Sequence, residues 1–171
     1  DRKVNNIQNA NITVTVPANG GNIRSLAASS ASKITSDVTL RADQFTIDAS
    51  SAAKIKATVE ASSCLIETSS ASKVSAAVKT VSCSVDASSA SKIELTGSTE
   101  SLSADLSSAS KLDAAKLTAV NAAISTSSAA KAEIDCSGKL TAEASSGSSI
   151  RYTGDCQTSL SKSSGGGIHK N

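Results

Sequence analysis

Apolar and polar residues alternate with a period of two along most of the chain, in short segments that recur in pairs. In one such pair the apolar positions are Val74, Ala76 and Val78, followed by Cys83 and Val85. Alternation of this kind is typical of half-buried strands. The parity of the apolar positions switches between the two segments, and a strand that simply continued would keep its parity. The pattern therefore predicts pairs of short strands with a corner between them.

Each pair of segments is separated from the next by the motif Ser-Ser-Ala-Ser-Lys and an aliphatic residue, as in Ser88–Ile93. The lysine of the motif recurs at steps of 21, 19, 19, 19 and 20 residues. It occupies Lys33, Lys54, Lys73, Lys92, Lys111 and Lys131. Two degenerate copies follow, at Ser145–Ile150 and Ser163–Ile168. A period of this length is typical of a solenoid, in which a repeat buries its apolar face only by stacking on its neighbours.

The residue types favour strands for these repeats. Serine and β-branched residues surround the motif and disfavour helices, and the regular leucines of leucine-rich repeats are absent. We therefore predict an all-β fold, a right-handed, single-stranded parallel β-helix of about eight coils. One domain would span residues 1–171, with a capping strand region at 1–25, repeats at 26–168 and a tail at 169–171.

Composition fits a narrow stack and excludes several classes of function. Of the residues, 39% are hydrophobic, yet there are only one Phe and one Tyr and no Trp or Met, so the core must consist of Ile, Val, Leu and Ala. The 17 basic and 15 acidic residues nearly balance, and no aromatic residues interleave the bases, so we expect no nucleic-acid partner. No apolar run approaches the roughly 20 residues of a membrane helix, so we expect no membrane span.

Repeated charged residues should form columns, because equivalent residues of successive coils stack about 4.8 Å apart. In four repeats an acidic residue precedes the motif lysine by six positions. This acidic column comprises Asp48, Glu67, Asp86 and Asp105. We expect it to offset repulsion within the lysine column, each exposed pair contributing about 0–1 kcal/mol. The charged face either keeps the solenoid soluble or binds a repeating polymer or a neighbouring cell surface.

The serines of the motif are predicted to form a second kind of column. If parity runs unbroken through the motif, its second and fourth positions point inward, where stacked hydroxyl groups could hydrogen-bond along the column. The second position is occupied by Ser51, Ser70, Ser89, Ser108 and Ser128.

The chain has four cysteines, of which Cys64 and Cys83 hold the same place in consecutive repeats. Stacked neighbours lie within the Cα separation that a disulfide allows, so one interpretation is one or two disulfides, with Cys64–Cys83 as the candidate pair. The other is that all four cysteines are small core residues. No two cysteines are two residues apart and His169 is the only histidine, so we expect no metal, no cofactor and no catalytic residue.

The ends of a solenoid expose unpaired backbone groups unless they are capped. The alternating stretch Asn11–Val16 is a candidate cap, whereas no helix or run of charge follows Ile168. One expectation is that the last coil is completed by residues 11–16 of a second molecule, head to tail. The other is that residues 165–171 fold over it.

The closing stretch Ala144–Asp155, which contains Ser-Ile-Arg-Tyr-Thr-Gly, resembles the end of the putative autotransporter adhesin GIN head domains of Bacteroidetes. Repeats of that family read Ser-Gly-Ala-Ser-Lys or Ser-Gly-Ala-Ser-Ser, so this chain has Ser where the family often has Gly. The similarity covers roughly residues 26–168. It implies a right-handed β-helix, export to the envelope or cell surface and an adhesin-like role, and it transfers no catalytic residues.

These observations predict an exported protein that is extracellular, on the cell surface or associated with the outer membrane. Its function would be structural or adhesin-like and not enzymatic, with a surface polymer, a glycan or a second copy of itself as partner. A self-assembling extracellular filament subunit is an alternative. A polysaccharide-active β-helix enzyme is less favoured, because an active site needs titratable groups in different environments and the charged columns are uniform.

Overall fold

A computed structural model describes residue 15 and residues 23–171, which form a parallel β-solenoid. The described residues contain ten strands. They are β1 (Ser25–Ala28), β2 (Lys33–Ala49), β3 (Lys54–Thr68), β4 (Lys73–Ala87), β5 (Lys92–Leu106), β6 (Lys111–Thr126), β7 (Lys131–Ala144), β8 (Ser149–Thr153), β9 (Gln157–Lys162) and β10 (Gly167–Lys170). Among these residues there is no helix long and apolar enough to cross a membrane.

The strands pair in sequence order to form one continuous parallel sheet, β1 to β8 and then β10, while β9 pairs with β7. β8 pairs with the first part of β7 and β9 with its last part, so these two strands together make one coil. The motif lysines lie in register, as Lys54 does with Lys73. The chain thus stacks about eight turns, and the predicted all-β solenoid is confirmed.

Corners lie where the alternation of buried and exposed residues breaks. In β4 the break falls between Thr80 and Cys83, where Val81 and Ser82 are both exposed. β6 breaks twice, once after Ala114 and once before Ala122. The parity switch in the sequence therefore marks the corner between the two segments of a coil.

Inside the stack, aliphatic side chains form columns along the solenoid axis. Val78 is 2% exposed and lies in register between Val59 of one neighbouring coil and Gly97 of the other. The one phenylalanine, Phe45, is buried in the same column as Cys64. Such side chains fill a narrow core without large aromatic residues.

The serine motif forms a tight turn that stacks on its copies. Ser70 and Ala71 have φ angles of 53° and 60°, in the left-handed region, and the Ser72 amide donates to the Ser69 carbonyl at 3.2 Å. The Ala71 amide then donates at 2.9 Å to the carbonyl of Ser89, one coil further on. Every coil repeats this pair of positive φ angles, so the motif is the corner at which each coil closes.

This turn corrects the predicted inward serine column. Two successive left-handed residues reverse the chain, so the second position of the motif projects outward and burial resumes only at the fourth position. The second-position residues Ser51, Ser70, Ser89, Ser108 and Ser128 are all exposed. The fourth-position residues Ser72, Ser91, Ser110 and Ser148 are buried.

The buried serines also find different partners from those expected. Ser72 Oγ donates to the carbonyl of Ala49 at 2.7 Å, and Ser110 Oγ donates to that of Ala87 at 2.9 Å. Each bond crosses the turn to the end of an earlier strand, and does not run between stacked serines.

At the ends of the chain, most of the predicted capping region 1–25, with all of Asn11–Val16 except Thr15, lies outside the described residues. Residues 167–170 continue the stack as β10, which pairs in parallel with β8, so His169 and Lys170 belong to a strand. The Lys162 ammonium group donates to the carbonyl of Ile168 at 2.9 Å.

Candidate binding surface

The lysine column lies where strands β2 to β7 begin, and three of its side chains contact glutamates of the same face. Lys92 Nζ lies 2.8 Å from Glu94 Oε1, and Lys73 Nζ of the preceding coil lies 2.9 Å from the same oxygen. Lys111 and Glu133 repeat the cross-coil contact at 3.5 Å. The glutamate stands two residues after the lysine of its own coil, and both side chains therefore face outward from one strand.

Glu94 is the most strongly perturbed carboxylate in this cluster. Hydrogen bonds from Lys92 first and Lys73 second, together with one from the Ser75 hydroxyl, lower the pKa of Glu94 to about 2. The Ser75 Oγ lies 3.0 Å from Glu94 Oε2. Glu94 therefore pairs with two lysines of the column at once.

These contacts correct the expected pairing of the two columns. The acidic column is in register across β2 to β5, as Glu67 with Asp86 and Asp86 with Asp105. All four of its side chains are exposed, and within residues 23–171 none of them forms a salt bridge. The turn separates this column from the lysines. Lys92 contacts Glu94, the second residue after it, whereas Lys73 and Lys111 contact glutamates of the next coil. The Lys-x-Glu spacing, which places both side chains on one face of a strand, is the sequence signal that could have predicted these lysine–glutamate contacts.

Together the acidic column, the exposed second and third residues of each turn, and the lysine column form one surface, here called the motif surface. The acidic residue of a coil precedes the turn by two positions and the lysine follows it directly. Four successive coils repeat the order acid, hydroxyl and ammonium at the stacking interval of about 4.8 Å. The surface can therefore offer the same polar contacts several times along the solenoid axis.

A depression of about 320 Å3 lies on the outer side of the second strand segments. Its hydroxyl lining includes Ser82, Ser84, Ser101 and Ser103, while Cys64 and Cys83 lie at its base. No group of three or more His, Cys, Asp or Glu side chains in the described chain is placed to hold a metal ion.

The structure brings Cys64 and Cys83 together, in register on β3 and β4 and both buried. Both thiols are free. Their mutual hydrogen bond lowers the pKa of Cys64 and raises that of Cys83, which burial raises further. The disulfide between them stays a prediction.

Cys136 and Cys156 form a second pair of neighbouring thiols, which the sequence left open as a second disulfide without assigning it. Burial raises the pKa of Cys136, and the neighbouring Cys156 thiol raises it further. The pair was hidden because the register of the repeats shifts near Cys136, so equal spacing from the motif does not identify it. The flanking pairs Asp135–Thr153 and Lys139–Gln157 place both cysteines at one corner of the stack.

The fold and the motif surface define a β-solenoid that presents repeated polar columns to solvent. Comparison with protein families matches residues 1–156 to the putative auto-transporter adhesin, head GIN domain family. The chain therefore belongs to that family, as its closing residues predicted.

Solved structures support the same fold. The chain is similar to a putative adhesin of Parabacteroides distasonis ATCC 8503, with 15% identity and a TM-score of 0.83 over 86% of this chain and 64% of that one. It is also similar to a putative adhesin of Parabacteroides merdae ATCC 43184, with 17% identity and a TM-score of 0.84 over 86% of this chain and 63% of that one. The chain thus spans less than two thirds of either structure. A search of curated proteins finds no match.

Proposed function

We propose that this chain is an exported, non-catalytic adhesin-like module whose motif surface binds a repeating polymer, most simply a glycan, at the cell surface or outside the cell. The observation that carries the proposal is the exposed acidic column. Four carboxylates in register form no salt bridge within residues 23–171, whereas several of the lysines beyond the turn already contact glutamates.

A periodic surface suits a periodic ligand. Each exposed charge or hydroxyl contributes little by itself, since solvent and salt screen it. When several equal contacts engage units of one polymer, the later contacts form at high effective concentration and the affinities multiply. A stack of identical coils supplies such contacts without any deep pocket.

The uniformity of the surface supports a non-catalytic role. General acid–base chemistry requires titratable groups whose environments separate their pKa values. The members of the acidic column share the same exposed setting, and the strongly lowered pKa of Glu94 comes from lysine pairing that keeps it ionised. The family description, a putative adhesin, points the same way.

A glycan array probed with three forms of the full chain tests the proposal. The first is the unmodified chain, and the second is the triple variant Glu67→Gln, Asp86→Asn, Asp105→Asn, which removes charge from the column with little change of shape. The third, the matched control, carries Asp37→Asn, Asp43→Asn and Glu100→Gln, which remove three exposed carboxylates that lie outside the column.

We expect the unmodified chain to bind a defined set of glycans. The column variant should bind at least about tenfold more weakly, and the control within about twofold of the unmodified chain. Equal binding by all three proteins, or no binding by the unmodified chain, would overturn the proposal. Long filaments in electron microscopy would instead assign a self-assembling role, and release of sugar from the array would assign an enzyme.

A further inference from the structure

We propose that the four cysteines form two disulfides between neighbouring coils, Cys64–Cys83 and Cys136–Cys156, when the chain meets an oxidising pool of thiols and disulfides. The inference is independent of the proposed function. It extends the Cys64–Cys83 expectation to a second pair that only the structure reveals.

The backbone places both pairs within reach. Cys64 and Cys83 are direct register partners on adjacent parallel strands. Such strands are about 4.8 Å apart, which lies inside the Cα separation of about 4.4–6.8 Å that disulfides adopt. Cys136 lies one residue after Asp135 and Cys156 one residue before Gln157, between two sets of paired residues on neighbouring coils. The Cys156 thiol is close enough to raise the pKa of Cys136.

The distribution of cysteines supports pairing over simple core filling. The column of Cys64 and Cys83 is otherwise filled by residues such as Leu102 and Ala122, and Cys136 is in register with Ala119. Core packing alone therefore accepts other small and aliphatic residues at these places. Yet the four cysteines of the chain form two pairs, each between neighbouring coils, and both pairs lie at the same corner of the stack.

Each pair also borders a surface depression, although Cys64, Cys83 and Cys136 are buried. Cys64 and Cys83 line the depression of about 320 Å3. Cys156 lines a second depression, of about 640 Å3, with Ser137, Lys139 and Lys170. Each depression therefore provides the side from which a small-molecule disulfide would approach one pair.

The reaction balances with a small-molecule disulfide such as oxidised glutathione as the oxidant. The Cys64 thiolate attacks one glutathione sulfur, forms a mixed disulfide and expels a glutathione thiolate. Cys83 then loses its proton and attacks the Cys64 sulfur, which expels the second glutathione thiolate. Two protein thiols are oxidised, one glutathione disulfide is reduced, and the two protons finish on glutathione. The lowered pKa of Cys64 suits it to the first attack.

Mass spectrometry of the full chain tests the pairing. The reduced protein is equilibrated with excess oxidised glutathione, denatured in the presence of N-ethylmaleimide and digested with trypsin. Cleavage after Lys and Arg places the four cysteines in separate peptides, 57–73, 80–92, 132–139 and 152–162. Each disulfide removes two hydrogen atoms from the intact mass.

We expect a loss of four hydrogen masses, no maleimide adduct, and only the linked peptides 57–73 with 80–92 and 132–139 with 152–162. Free thiols at equilibrium, stable glutathione adducts or linkage between the two pairs would overturn the proposal. Cys83→Ala and Cys136→Ala are matched variants, because alanine occupies the same columns at Ala122 and Ala119. In each variant the remaining cysteine of the broken pair, Cys64 or Cys156, should carry glutathione as a mixed disulfide or stay free to be alkylated, and the other disulfide should still form. Loss of both disulfides in folded protein would contradict independent pairing.

Discussion

The side-chain oxygens of Thr68 and Ser91 lie 2.9 Å apart inside the stack, although 23 residues separate them. Both residues are buried, and Ser91 Oγ also lies 3.3 Å from the Thr68 carbonyl. Thr126 and Ser148 repeat the arrangement with oxygens 2.8 Å apart. The turn therefore closes onto the preceding coil through buried hydroxyl groups, and the hydrogen bond satisfies polar atoms that burial would otherwise penalise.

Removal of the Ser91 hydroxyl should destabilise the protein, because the Thr68 hydroxyl would lose its partner. We expect Ser91→Ala to lower the free energy of unfolding by about 1–2 kcal/mol. The smaller side chain itself should fit, since Ala53 and Ala130 occupy the same place in other coils and are buried. Urea unfolding followed by circular dichroism measures the change.

A double-mutant cycle separates the hydrogen bond from the packing. Thr68→Ala has a precedent in Ala49 and Ala87, which are in register with Thr68. If the pair interacts, the double variant should be more stable than the sum of the two single losses predicts, by about 0.5–1.5 kcal/mol. Strictly additive losses would contradict the contact.

The assignment of inward and outward positions predicts that an introduced aspartate destabilises the protein strongly at a core position and only slightly at an exposed one. Val78→Asp would place a carboxylate in the core between Val59 and Gly97, and should lower the free energy of unfolding by at least about 3 kcal/mol. Ala90→Asp introduces the same group at an exposed turn residue and should change it by less than about 1 kcal/mol. Thermal melts of the two variants compare them, and the reverse ranking would refute the assignment.

The left-handed turns predict a dependence on side-chain shape. Ala90 has a φ angle of 61°, which β-branched residues disfavour strongly. Ala90→Val should therefore destabilise the protein by about 1–2 kcal/mol, whereas Ala90→Gly should be neutral or stabilise it by up to about 1 kcal/mol. Glycine already stands at this place in Gly147 and Gly165.

A matched control for the turn is Ala123→Val. Ala123 is exposed on strand β6, where a β-branched residue suits the backbone, so this change should be neutral or slightly stabilising. Equal losses for Ala90→Val and Ala123→Val in urea unfolding would show that the added methyl groups, and not the positive φ angle, cause the effect.

The sequence was sufficient to predict the solenoid, because a regular period and alternating parity are direct consequences of stacking. The sequence was insufficient to predict the backbone conformation of the turn. Serine and alanine seldom adopt positive φ, so nothing in Ser70 or Ala71 signals two successive left-handed residues. The prediction therefore assumed that inward and outward residues alternate without a break through the motif. This assumption of unbroken alternation wrongly placed the second-position serines in the core.

The charged columns show a similar limit. The spacing of six residues predicted that Asp86 would lie near Lys92. The turn lies between them, however, and Lys92 instead contacts Glu94, two residues further along the same strand. Similarly, Cys64 and Cys83 share a repeat position that can be read from the sequence, whereas Cys136 meets Cys156 at a corner where the register shifts. Columns of equivalent side chains can be predicted where the repeat length is constant, but not at corners where the register between coils shifts.

The lysine-paired Glu94 predicts a dependence of stability on pH. Its folded pKa of about 2 lies below the usual value of 4.5, so the unfolded chain binds the proton more tightly. The stabilisation by Glu94 is therefore complete above pH 4.5 and is lost as the pH falls toward about 2. Because the side chain is 34% exposed, solvent screens the pair and the contribution should be less than about 1 kcal/mol.

Glu94→Gln tests this dependence. Urea unfolding across this pH range should show the variant slightly less stable than the unmodified chain at pH 7, with a gap that closes as the pH falls through the window. Repeating the series in 1 M salt is the control, because screening at a Debye length of about 3 Å should shrink the gap at neutral pH. A gap that keeps its full size down to pH 2 would mean that Glu94 stabilises the coil by packing and not through its charge.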